Sequence, residues 1–395
     1  FIHPKSRIIM TIKGANRLNS VKTYYFAKKL AEVRQLNEEG KDIINLGIGS
    51  PDLNPPLQVL ETFHQAIDEE GSNMYQSYSG IPELRQAFAT WYSQNFEHPL
   101  NVESEILPLI GSKEGIMHIS MSFLDEGDQV LVPDPGYPAY AMATKLAGGE
   151  VIKYNLTEEN SWLPNFDEIS KLDLSKVKLW WINYPHMPTG SNASVSTFEE
   201  IIKLARNHNI LVCHDNPYLK ILNDKVHSIF TADPTMENSI ELISLSKLYN
   251  MAGFRVGAVA GHQDVLKTIL KFKSNMDSGM YKPIQKAAAK ALSLGKQWIQ
   301  ELNTIYSERK EVACKIFDVL DVAYSKDSTG LFIWGKINTG ESSTEFCDRI
   351  LYKHNVFITP GTVFGENGEG YVRISICSPK ERIETALQRI KSKQL

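Results

Sequence analysis

Seven short apolar segments alternate with helical patterns through the middle of the chain, and this alternation constrains the fold more than any other feature. The segments are rich in Val, Ile and Leu and carry few polar positions, as expected for strands that are covered on both faces of a sheet. Strands separated by helices favour an α/β fold with a mostly parallel sheet. The predicted strands are Ile106–Ile110, Gln129–Val132, Glu150–Tyr154, Lys178–Ile182, Ile210–His214, Ile240–Ser244 and Arg255–Ala260.

Helical patterns lie between several of these segments, as the crossovers of a parallel sheet require. We predict helices at Gly111–Leu124, Tyr140–Ala147 and Thr197–Asn207. Ser196 and Glu199 have the spacing of a capping box at the start of the third helix. The middle of the chain is therefore predicted to form one α/β unit.

The pattern changes from about residue 290, where helices and short strands suggest a second, α+β unit. The predicted elements there are helices Trp298–Leu320, Thr344–His354 and Pro379–Lys391, and strands Leu331–Trp334 and Tyr371–Ile376. A further helix is predicted at Tyr24–Glu39. The 395 residues are enough for two domains. We predict an N-terminal segment (1–48) that packs with the smaller domain, a large ligand-binding domain (49–289) and a small C-terminal domain (290–395).

Composition excludes several classes of protein. Lys and Arg total 42 against 46 for Asp and Glu, so the charge gives no reason to expect a nucleic acid partner. No apolar run approaches the roughly 18 residues of a membrane-spanning helix. The four cysteines are scattered without the spacing of metal ligands, so we predict no metal site and a reducing, cytoplasmic location.

The residues that follow the predicted strands are the candidates for chemistry, because an open parallel sheet binds ligands beyond the carboxyl ends of its strands. The segment GSKEG, residues 111–115, opens a helix whose first N–H groups can bind an anion, although most such turns are only caps. Tyr137 lies in the stiff turn PDPGYPAY. An aromatic ring there either belongs to the core or stacks on a planar ligand.

Charged residues lie at the ends of two later strands. Asp215 follows an apolar strand, where a carboxylate is costly to bury unpaired, so it either caps a turn or balances a buried cation. Lys247 follows Ser244 and Ser246 at the end of another apolar strand and precedes Arg255. The ordinary alternative is that Lys247 is a solvated lysine on the surface. Two cations and two serines beside buried strands favour a shared anionic ligand.

Together these residues predict a site for pyridoxal 5′-phosphate. Lys247 is suited to bond covalently to the ligand's aldehyde, and Asp215 to hold its protonated ring nitrogen. Tyr137 is placed to stack on the ring. The predicted phosphate ligands are the N–H groups of Gly111–Lys113, Ser244 and Arg255.

From about Ile44 to its C-terminus, the chain resembles the class I/II aminotransferases of the aspartate aminotransferase fold, which is fold type I of the pyridoxal phosphate enzymes. The segment SLSKLYNMAGFRVG is similar to that family's S-x-S-K and G-x-R signature, which is highly specific. The resemblance implies a seven-stranded sheet flanked by helices and a smaller α+β domain. Seven further segments occur in the family's order: NLGIGSPDL, YQSYSGIPELRQAFATWY, GSKEG, PDPGYPAY, PTG, DNPY and GEGYVRIS.

The resemblance implies roles for individual residues at the reacting centre. Lys247 matches the Schiff-base lysine, Asp215 the partner of the pyridine nitrogen, and Tyr218 the donor to the cofactor's phenolic oxygen. Arg373 matches the arginine that binds the substrate α-carboxylate, a task that suits a planar guanidinium. Gly49 matches a loop that approaches the same carboxylate.

The remaining matches concern the ring and the phosphate. Tyr137 matches the stacking aromatic residue. Tyr75 matches a tyrosine that reaches the phosphate from the partner subunit, so the resemblance implies a homodimer with shared sites. The residues that match the phosphate-binding set are Gly111, Ser112, Lys113 through its N–H group, Ser244 and Arg255.

One position departs from the family's pattern. The segment MPTG, residues 187–190, stands where family members have Asn-Pro-Thr-Gly. That asparagine donates a hydrogen bond to the cofactor's phenolic oxygen, and methionine has no donor. The departure puts the electronic tuning of the cofactor in doubt, and His186 and Asn183 are the candidates for replacing the donor.

The implied reaction is a ping-pong transfer of an amino group from an L-amino acid to a 2-oxo acid, in which Lys247 moves the proton of Cα as general base and acid. A β-C–S lyase on the same fold is the alternative enzyme; Arg255 fits a transferase without excluding a lyase. The third alternative is a non-catalytic sensor domain that binds the cofactor. Such sensors carry an N-terminal DNA-binding module, for which the segment before the fold is too short.

Overall fold

A computed structural model describes residues 12–21 and 25–392 of the chain. The α helices are α1 (Tyr25–Glu38), α2 (Leu57–Ile67), α3 (Pro82–Phe96), α4 (Ser112–Phe123), α5 (Pro138–Leu146), α6 (Phe166–Ile169), α7 (Val195–Asn207), α8 (Leu245–Leu248), α9 (Gln263–Lys273), α10 (Lys282–Leu292), α11 (Lys296–Leu320), α12 (Ser343–His354) and α13 (Lys380–Ser392). Short 3-10 helices are Asn16–Ser20, Ile229–Thr231, Ala252–Phe254, Gly361–Val363 and Glu366–Gly368.

The strands of the described residues form sheets of seven, four and two strands. They are β1 (Ile44–Asn45), β2 (Ile106–Leu109), β3 (Gln129–Asp134), β4 (Glu150–Asn155), β5 (Val177–Ile182), β6 (Leu211–Asp215), β7 (Ser239–Ser244), β8 (Gly257–Gly261), β9 (Val322–Tyr324), β10 (Phe332–Ile337), β11 (Val356–Phe357), β12 (Thr359–Pro360) and β13 (Tyr371–Ser375).

The seven-stranded sheet has the order β2-β8-β7-β6-β5-β3-β4. All adjacent pairs are parallel except those of β8, which runs antiparallel to both β2 and β7. This confirms the predicted mostly parallel sheet of an α/β fold. Because β8 is reversed, its first residues lie at the same edge of the sheet as the last residues of the parallel strands.

Apolar side chains cover both faces of this sheet, which explains why its strands have continuous apolar sequences. On one face they pack with α4, α5 and α9. On the other they pack with α3 and α7. Trp180 and Trp181 are neighbours in β5, both are fully buried, and they belong to opposite faces. Successive side chains of a strand point to opposite faces, so this burial fixes the register of β5.

The C-terminal third of the chain builds an antiparallel sheet of order β12-β13-β10-β9, against which α11 and α12 pack. The N-terminal segment reaches this region in two ways: β1 pairs with β11, and Lys29 Nζ lies 2.8 Å from Asp348 Oδ1. The boundaries after residues 48 and 289 stay predictions. Residues 1–11 and 22–24, which include the predicted first residue of the N-terminal helix, lie outside the described residues.

Four predicted element starts are wrong by two residues: those of α5, α7, β8 and α11. Helix α7 begins at Val195, and its N-cap is Ser194, whose hydroxyl oxygen accepts a hydrogen bond from the Thr197 N–H; Ser196 is already in the first turn. The strand predicted from Arg255 begins two residues later, because Arg255 has a φ of 56° and therefore lies in a turn. Helices α2, α3, α9 and α10 were not among the predicted elements.

None of the helices in the described part of the chain has the length and apolar character needed to span a lipid bilayer.

Candidate functional site

A cavity of about 420 Å³ lies at the edge of the seven-stranded sheet where the parallel strands end. Its volume is within the range of about 300–1,000 Å³ that is typical of small-molecule sites. Its lining includes ten of the predicted site residues: Gly49, Ser112, Lys113, Tyr137, Asp215, Tyr218, Ser244, Lys247, Arg255 and Arg373. Residues from widely separated parts of the sequence therefore meet at one place.

The N-terminus of α4 forms one end of the cavity. Gly111 is the N-cap of this helix and has a φ of 83°, which glycine adopts without strain. A Cβ atom at Gly111 would lie 2.4 Å from Nη2 of Arg255, so glycine allows the guanidinium to approach the helix end. The N–H groups of Ser112 and Lys113 belong to the first turn, where an α helix offers no backbone acceptor. This end of the cavity is therefore suited to a phosphate group.

Ser244 and Arg255 complete this end of the cavity because β8 is antiparallel to β7. Ser244 is the last residue of β7, and its hydroxyl oxygen accepts from the Ser246 N–H at 3.2 Å. Arg255 precedes β8, and its Nη1 donates to the Ala252 carbonyl oxygen at 2.9 Å. A parallel β8 would carry Arg255 to the opposite edge of the sheet.

Asp215 is a buried carboxylate with one free oxygen. Its Oδ2 accepts a hydrogen bond of 2.9 Å from the Tyr140 hydroxyl. Its Oδ1 is buried and has no hydrogen-bond partner among the described residues. Burial raises the pKa of Asp215 to about 6, and the hydrogen bond from Tyr140 and the charge of His214 oppose that rise. A protonated ring nitrogen of a ligand would satisfy Oδ1 and balance the charge.

Lys247 projects from the short helix α8 into the cavity. Its Nζ donates a hydrogen bond of 2.6 Å to the carbonyl oxygen of Gly49. Burial is the main cause that lowers the pKa of the Lys247 amine, and the positive charges of Arg373 and Arg255 act in the same direction. A lower pKa increases the fraction of neutral amine, which is the nucleophilic and basic form.

Arg373 lies on β13 and enters the cavity from the antiparallel sheet. Its Nη2 donates to the Gly47 carbonyl oxygen at 2.6 Å, and its Nη1 lies 3.4 Å from Sδ of Met187. Its guanidinium carbon is 3.8 Å from the ring centroid of Phe332 and 4.5 Å from that of Phe364. These contacts hold the planar group in one orientation, as the bidentate binding of a carboxylate requires.

Two tyrosines frame the space between these groups. Tyr137 lies just before α5, and its ring meets that of Tyr140 edge to face at 5.6 Å. Tyr218 follows Asp215 by three residues, and burial raises the pKa of its hydroxyl, so this group is a hydrogen-bond donor at neutral pH.

Tyr75 is the one predicted site residue that lies away from this cavity in the described structure. Its side chain is 92% exposed. Its neighbours Met74 and Tyr78 are also exposed, as are Met276 and Tyr281 in the segment before α10. A Cβ atom at Gly279, in that segment, would lie 2.7 Å from the Gln76 carbonyl oxygen, so the two segments are in contact.

The structure also shows what surrounds Met187. The Asn183 side chain donates to the Asp215 carbonyl oxygen at 2.6 Å and accepts from the Met187 N–H at 2.8 Å. His186 pairs with Thr189. Both side chains that were candidates for replacing the asparagine donor therefore have hydrogen bonds to the protein.

Tyr140 and several apolar residues are site residues that sequence reasoning missed. Tyr140 was predicted only as the start of a helix, and a second tyrosine one turn after Tyr137 was the available signal. The apolar lining residues that carry no motif are Phe26 and Leu30 of α1 and Phe332 of β10.

These features fit pyridoxal phosphate, which carries a phosphate, a ring nitrogen that is protonated and an aldehyde. The α4 N-terminus with Arg255 suits the phosphate, and the unpartnered Asp215 Oδ1 suits the ring nitrogen. Lys247 provides a buried amine in the same cavity.

Comparisons with known proteins agree with this arrangement. A sequence model of the family described as "Aminotransferase class I and II" matches residues 41–390. The LL-diaminopimelate aminotransferase of Dehalococcoides mccartyi (strain ATCC BAA-2266 / KCTC 15142 / 195) is 38% identical over 381 residues, which cover 96% of this chain and 98% of that protein. The protein of the same name from Aquifex aeolicus (strain VF5) is 35% identical, with coverage of 96% and 99%.

Solved structures show the same similarity. The apo structure of BacF from Bacillus subtilis superimposes with a TM-score of 0.93 at 32% identity, covering 98% of this chain and 99% of that one. An aromatic aminotransferase from Pyrococcus horikoshii OT3 gives a TM-score of 0.84 at 32% identity, with coverage of 91% and 98%.

Proposed function

Because the chain belongs to the class I and II aminotransferases, we propose that the cavity holds pyridoxal phosphate and an amino acid in contact with each other. The protein is a pyridoxal-phosphate-dependent aminotransferase, an enzyme that transfers an amino group between an L-amino acid and a 2-oxo acid in two half-reactions. The alternative of a C–S lyase is not favoured.

The bound cofactor supplies an electron sink that stabilises negative charge at the substrate Cα. We assign to Asp215 the task of keeping the ring nitrogen protonated through Oδ1, which strengthens that sink. Ser112, Lys113, Ser244 and Arg255 bind the phosphate and anchor the cofactor at the α4 N-terminus. Tyr137 stacks on the ring, and Tyr218 donates to the phenolic oxygen.

Lys247 is assigned the proton transfer. Its lowered pKa favours the neutral amine, which could accept the proton from Cα and donate it again. Arg373 binds the α-carboxylate, with Gly49 lining the same region of the cavity, and this places the Cα–H bond near Lys247. The single observation that carries the assignment is that Lys247, Asp215 and Arg373 line one cavity.

The direct test compares Lys247→Ala with Lys267→Ala, in which an exposed lysine of α9 is changed. We expect Lys247→Ala to lose transamination and to retain cofactor at the phosphate end of the cavity, whereas Lys267→Ala stays active. An active Lys247→Ala variant would refute the assignment. Release of pyruvate and ammonia from cystathionine without a 2-oxo acid would instead support the lyase.

We also propose a homodimer in which Tyr75 of each subunit reaches the phosphate in its partner. Tyr75, Met74, Tyr78, Met276 and Tyr281 are exposed apolar or aromatic residues on contacting segments, and such patches are typical of interfaces. Sedimentation of the cofactor-loaded enzyme should give a dimer, and an active monomer would contradict the proposal. The cytoplasmic location stays a prediction from the cysteine pattern.

The names of the relatives place LL-diaminopimelate among the candidate donors. Its side chain ends in a second ammonium group and a second carboxylate. Its use therefore requires charged partners in addition to Arg373, which binds the α-carboxylate, and Lys247, which faces Cα. The lining of the cavity is therefore informative about the donor.

A further inference from the structure

Glu241 is a fully buried carboxylate in β7 that has no task in the proposed reaction. Its two oxygen atoms accept hydrogen bonds of 2.7–3.4 Å from the Tyr92 hydroxyl, the Ser228 hydroxyl, the Ile229 N–H, the Asn216 amide and a ring nitrogen of His214. Hydrogen bonds to the charged form of a carboxyl group favour that form. We therefore assign Glu241 as an ionised carboxylate in the interior of the protein.

His214 of β6 lies directly opposite Glu241 in the sheet and contacts this charge. Its Nδ1 lies 2.7 Å from Oε2 of Glu241. Its Nε2 lies 2.9 Å from the Tyr184 carbonyl oxygen and further, at 3.3 Å, from the Tyr184 N–H. Both ring nitrogens thus face an oxygen acceptor, and only the protonated ring donates from both. We assign His214 as an imidazolium that forms a buried ion pair with Glu241.

This ion pair lies behind Asp215, on the other face of the sheet. Successive side chains of a strand point to opposite faces. His214 points toward α7, whereas Asp215 accepts a hydrogen bond from Tyr140 of α5. The next residue, Asn216, again reaches Glu241, with its Nδ2 3.4 Å from Oε2. Glu241 therefore binds both of the residues that flank Asp215 in the chain.

The groups around Asp215 and the ion pair indicate which charge acts on the Asp215 carboxylate. The titratable neighbours from other elements and from the following turn are Tyr140 of α5, Tyr92 of α3, His98 and Tyr218. Burial raises the pKa of the three hydroxyls and lowers the pKa of the imidazole, so these groups are uncharged at neutral pH. Burial also raises the pKa of Asp215, and the hydrogen bond from Tyr140 and the positive charge of His214 oppose that rise.

We propose that Glu241 and His214 are positioning residues for Asp215: Glu241 fixes both neighbours of Asp215 and keeps His214 protonated, and the imidazolium keeps Asp215 ionised for the ring nitrogen of the cofactor. The inference rests on the proposed function, because it assumes that Asp215 faces this nitrogen. Both side chains are completely buried within one subunit, so a partner chain does not reach them.

The first test removes both charges of the pair together, because loss of one member would leave the other buried without a counter-charge. The variant is His214→Gln with Glu241→Gln, and the measurement is the dissociation constant of pyridoxal phosphate from the apoenzyme. The charge of His214 opposes burial less than the hydrogen bond from Tyr140 does, so its loss should raise the pKa of Asp215 by about 0.5–1 unit. Binding should be about two- to fivefold weaker at about pH 6 and equal to the wild type at about pH 8.5.

The matched control removes another ion pair that contains a buried carboxylate. Arg206 Nη2 lies 3.1 Å from Asp233 Oδ1, and Asp233 accepts a hydrogen bond from Ser239 at the start of β7, the edge of the sheet away from the cavity. Arg206→Gln with Asp233→Asn should leave the pH dependence of cofactor binding unchanged.

The outcomes separate this inference from the proposed function. If the ratio of variant to wild-type dissociation constants is the same at both pH values for the His214 and Glu241 variant, the inference is overturned. Equal binding of the cofactor by Asp215→Asn and by the wild type at about pH 8.5 would instead count against the proposed role of Asp215.

The second test measures the charge of His214 without the cofactor. The ¹⁵N chemical shifts of its ring, assigned by the loss of their signals in the double variant, should show two protonated nitrogens at about pH 7 in the wild type and one in Glu241→Gln. Glu241→Gln alone should also show the pH-dependent loss of cofactor affinity, so the first test remains available if the double variant does not fold. A wild-type His214 with a single protonated nitrogen would refute the inference.

Discussion

The hydrogen bond between Tyr140 and Asp215 makes a quantitative prediction about cofactor binding. The Tyr140 hydroxyl donates to Oδ2 of Asp215 at 2.9 Å, and this bond opposes the rise in the pKa of Asp215 that burial causes. A hydrogen bond to a charged group contributes about 1.5–3 kcal/mol, and one pKa unit corresponds to about 1.4 kcal/mol. Tyr140→Phe should therefore raise the pKa of Asp215 by about 1–2 units.

The direction of the pH effect follows from the charge that the cofactor needs. A protonated ring nitrogen pairs with the ionised carboxylate, so affinity falls as Asp215 becomes protonated. With a pKa of about 6, Asp215 is about nine-tenths ionised at pH 7. In Tyr140→Phe that fraction should fall to between about a half and a tenth, which weakens the apparent affinity about two- to ninefold. The loss of affinity should disappear by about pH 9, where Asp215 is ionised both in the wild type and in Tyr140→Phe.

Equilibrium dialysis of the apoprotein against pyridoxal phosphate between about pH 6 and 9 measures this effect. Tyr154→Phe is the matched control, since it removes another buried tyrosine hydroxyl, one that donates to the Trp181 carbonyl oxygen at 2.9 Å and is remote from the Asp215 carboxylate. We expect the ratio of variant to wild-type dissociation constants to vary with pH only for Tyr140→Phe. A ratio that is constant across this range would refute the reasoning.

Three further predictions concern other parts of the site. Borohydride reduction followed by peptide mass spectrometry should place the pyridoxyl group on Lys247, and a label on another lysine would contradict the assignment. Arg373→Lys should raise the KM for amino donors at least about tenfold, because the bidentate binding of the carboxylate is lost. The dissociation constant of the cofactor should not change. Weaker binding of the cofactor would argue for a different role of Arg373. Gly257→Ala should lower the free energy of unfolding by about 1–3 kcal/mol in urea, because its Cβ would lie 2.7 Å from the Ile243 carbonyl oxygen. Gly253→Ala has no atom within 4 Å of its Cβ and should show no such loss.

The fold was accessible from the sequence because the signals for strands and helices are local. A buried strand needs consecutive apolar residues, and a helix needs a capping residue and apolar residues that recur about every 3.6 positions. Residues that are close in sequence therefore indicate where these elements lie. The segments that became β3 to β7 are visible in this way. The site motifs were also visible, since Lys247, Asp215 and Tyr137 each follow a predicted strand or lie in a turn after one.

The tertiary structure decided how those residues meet. The antiparallel direction of β8 brings Arg255 to the edge of the sheet where Ser244 ends β7. An apolar segment of sequence does not indicate whether its strand will be parallel or antiparallel to its neighbours. The contact of Tyr140 with Asp215 depends on the order of strands in the sheet and on the path of α5. Phe26 of α1 and Phe332 of β10 line the same cavity, although both look like ordinary core residues in the sequence. Burial against a distant element depends on the whole fold, so only the folded chain distinguishes a core phenylalanine from one that faces the substrate.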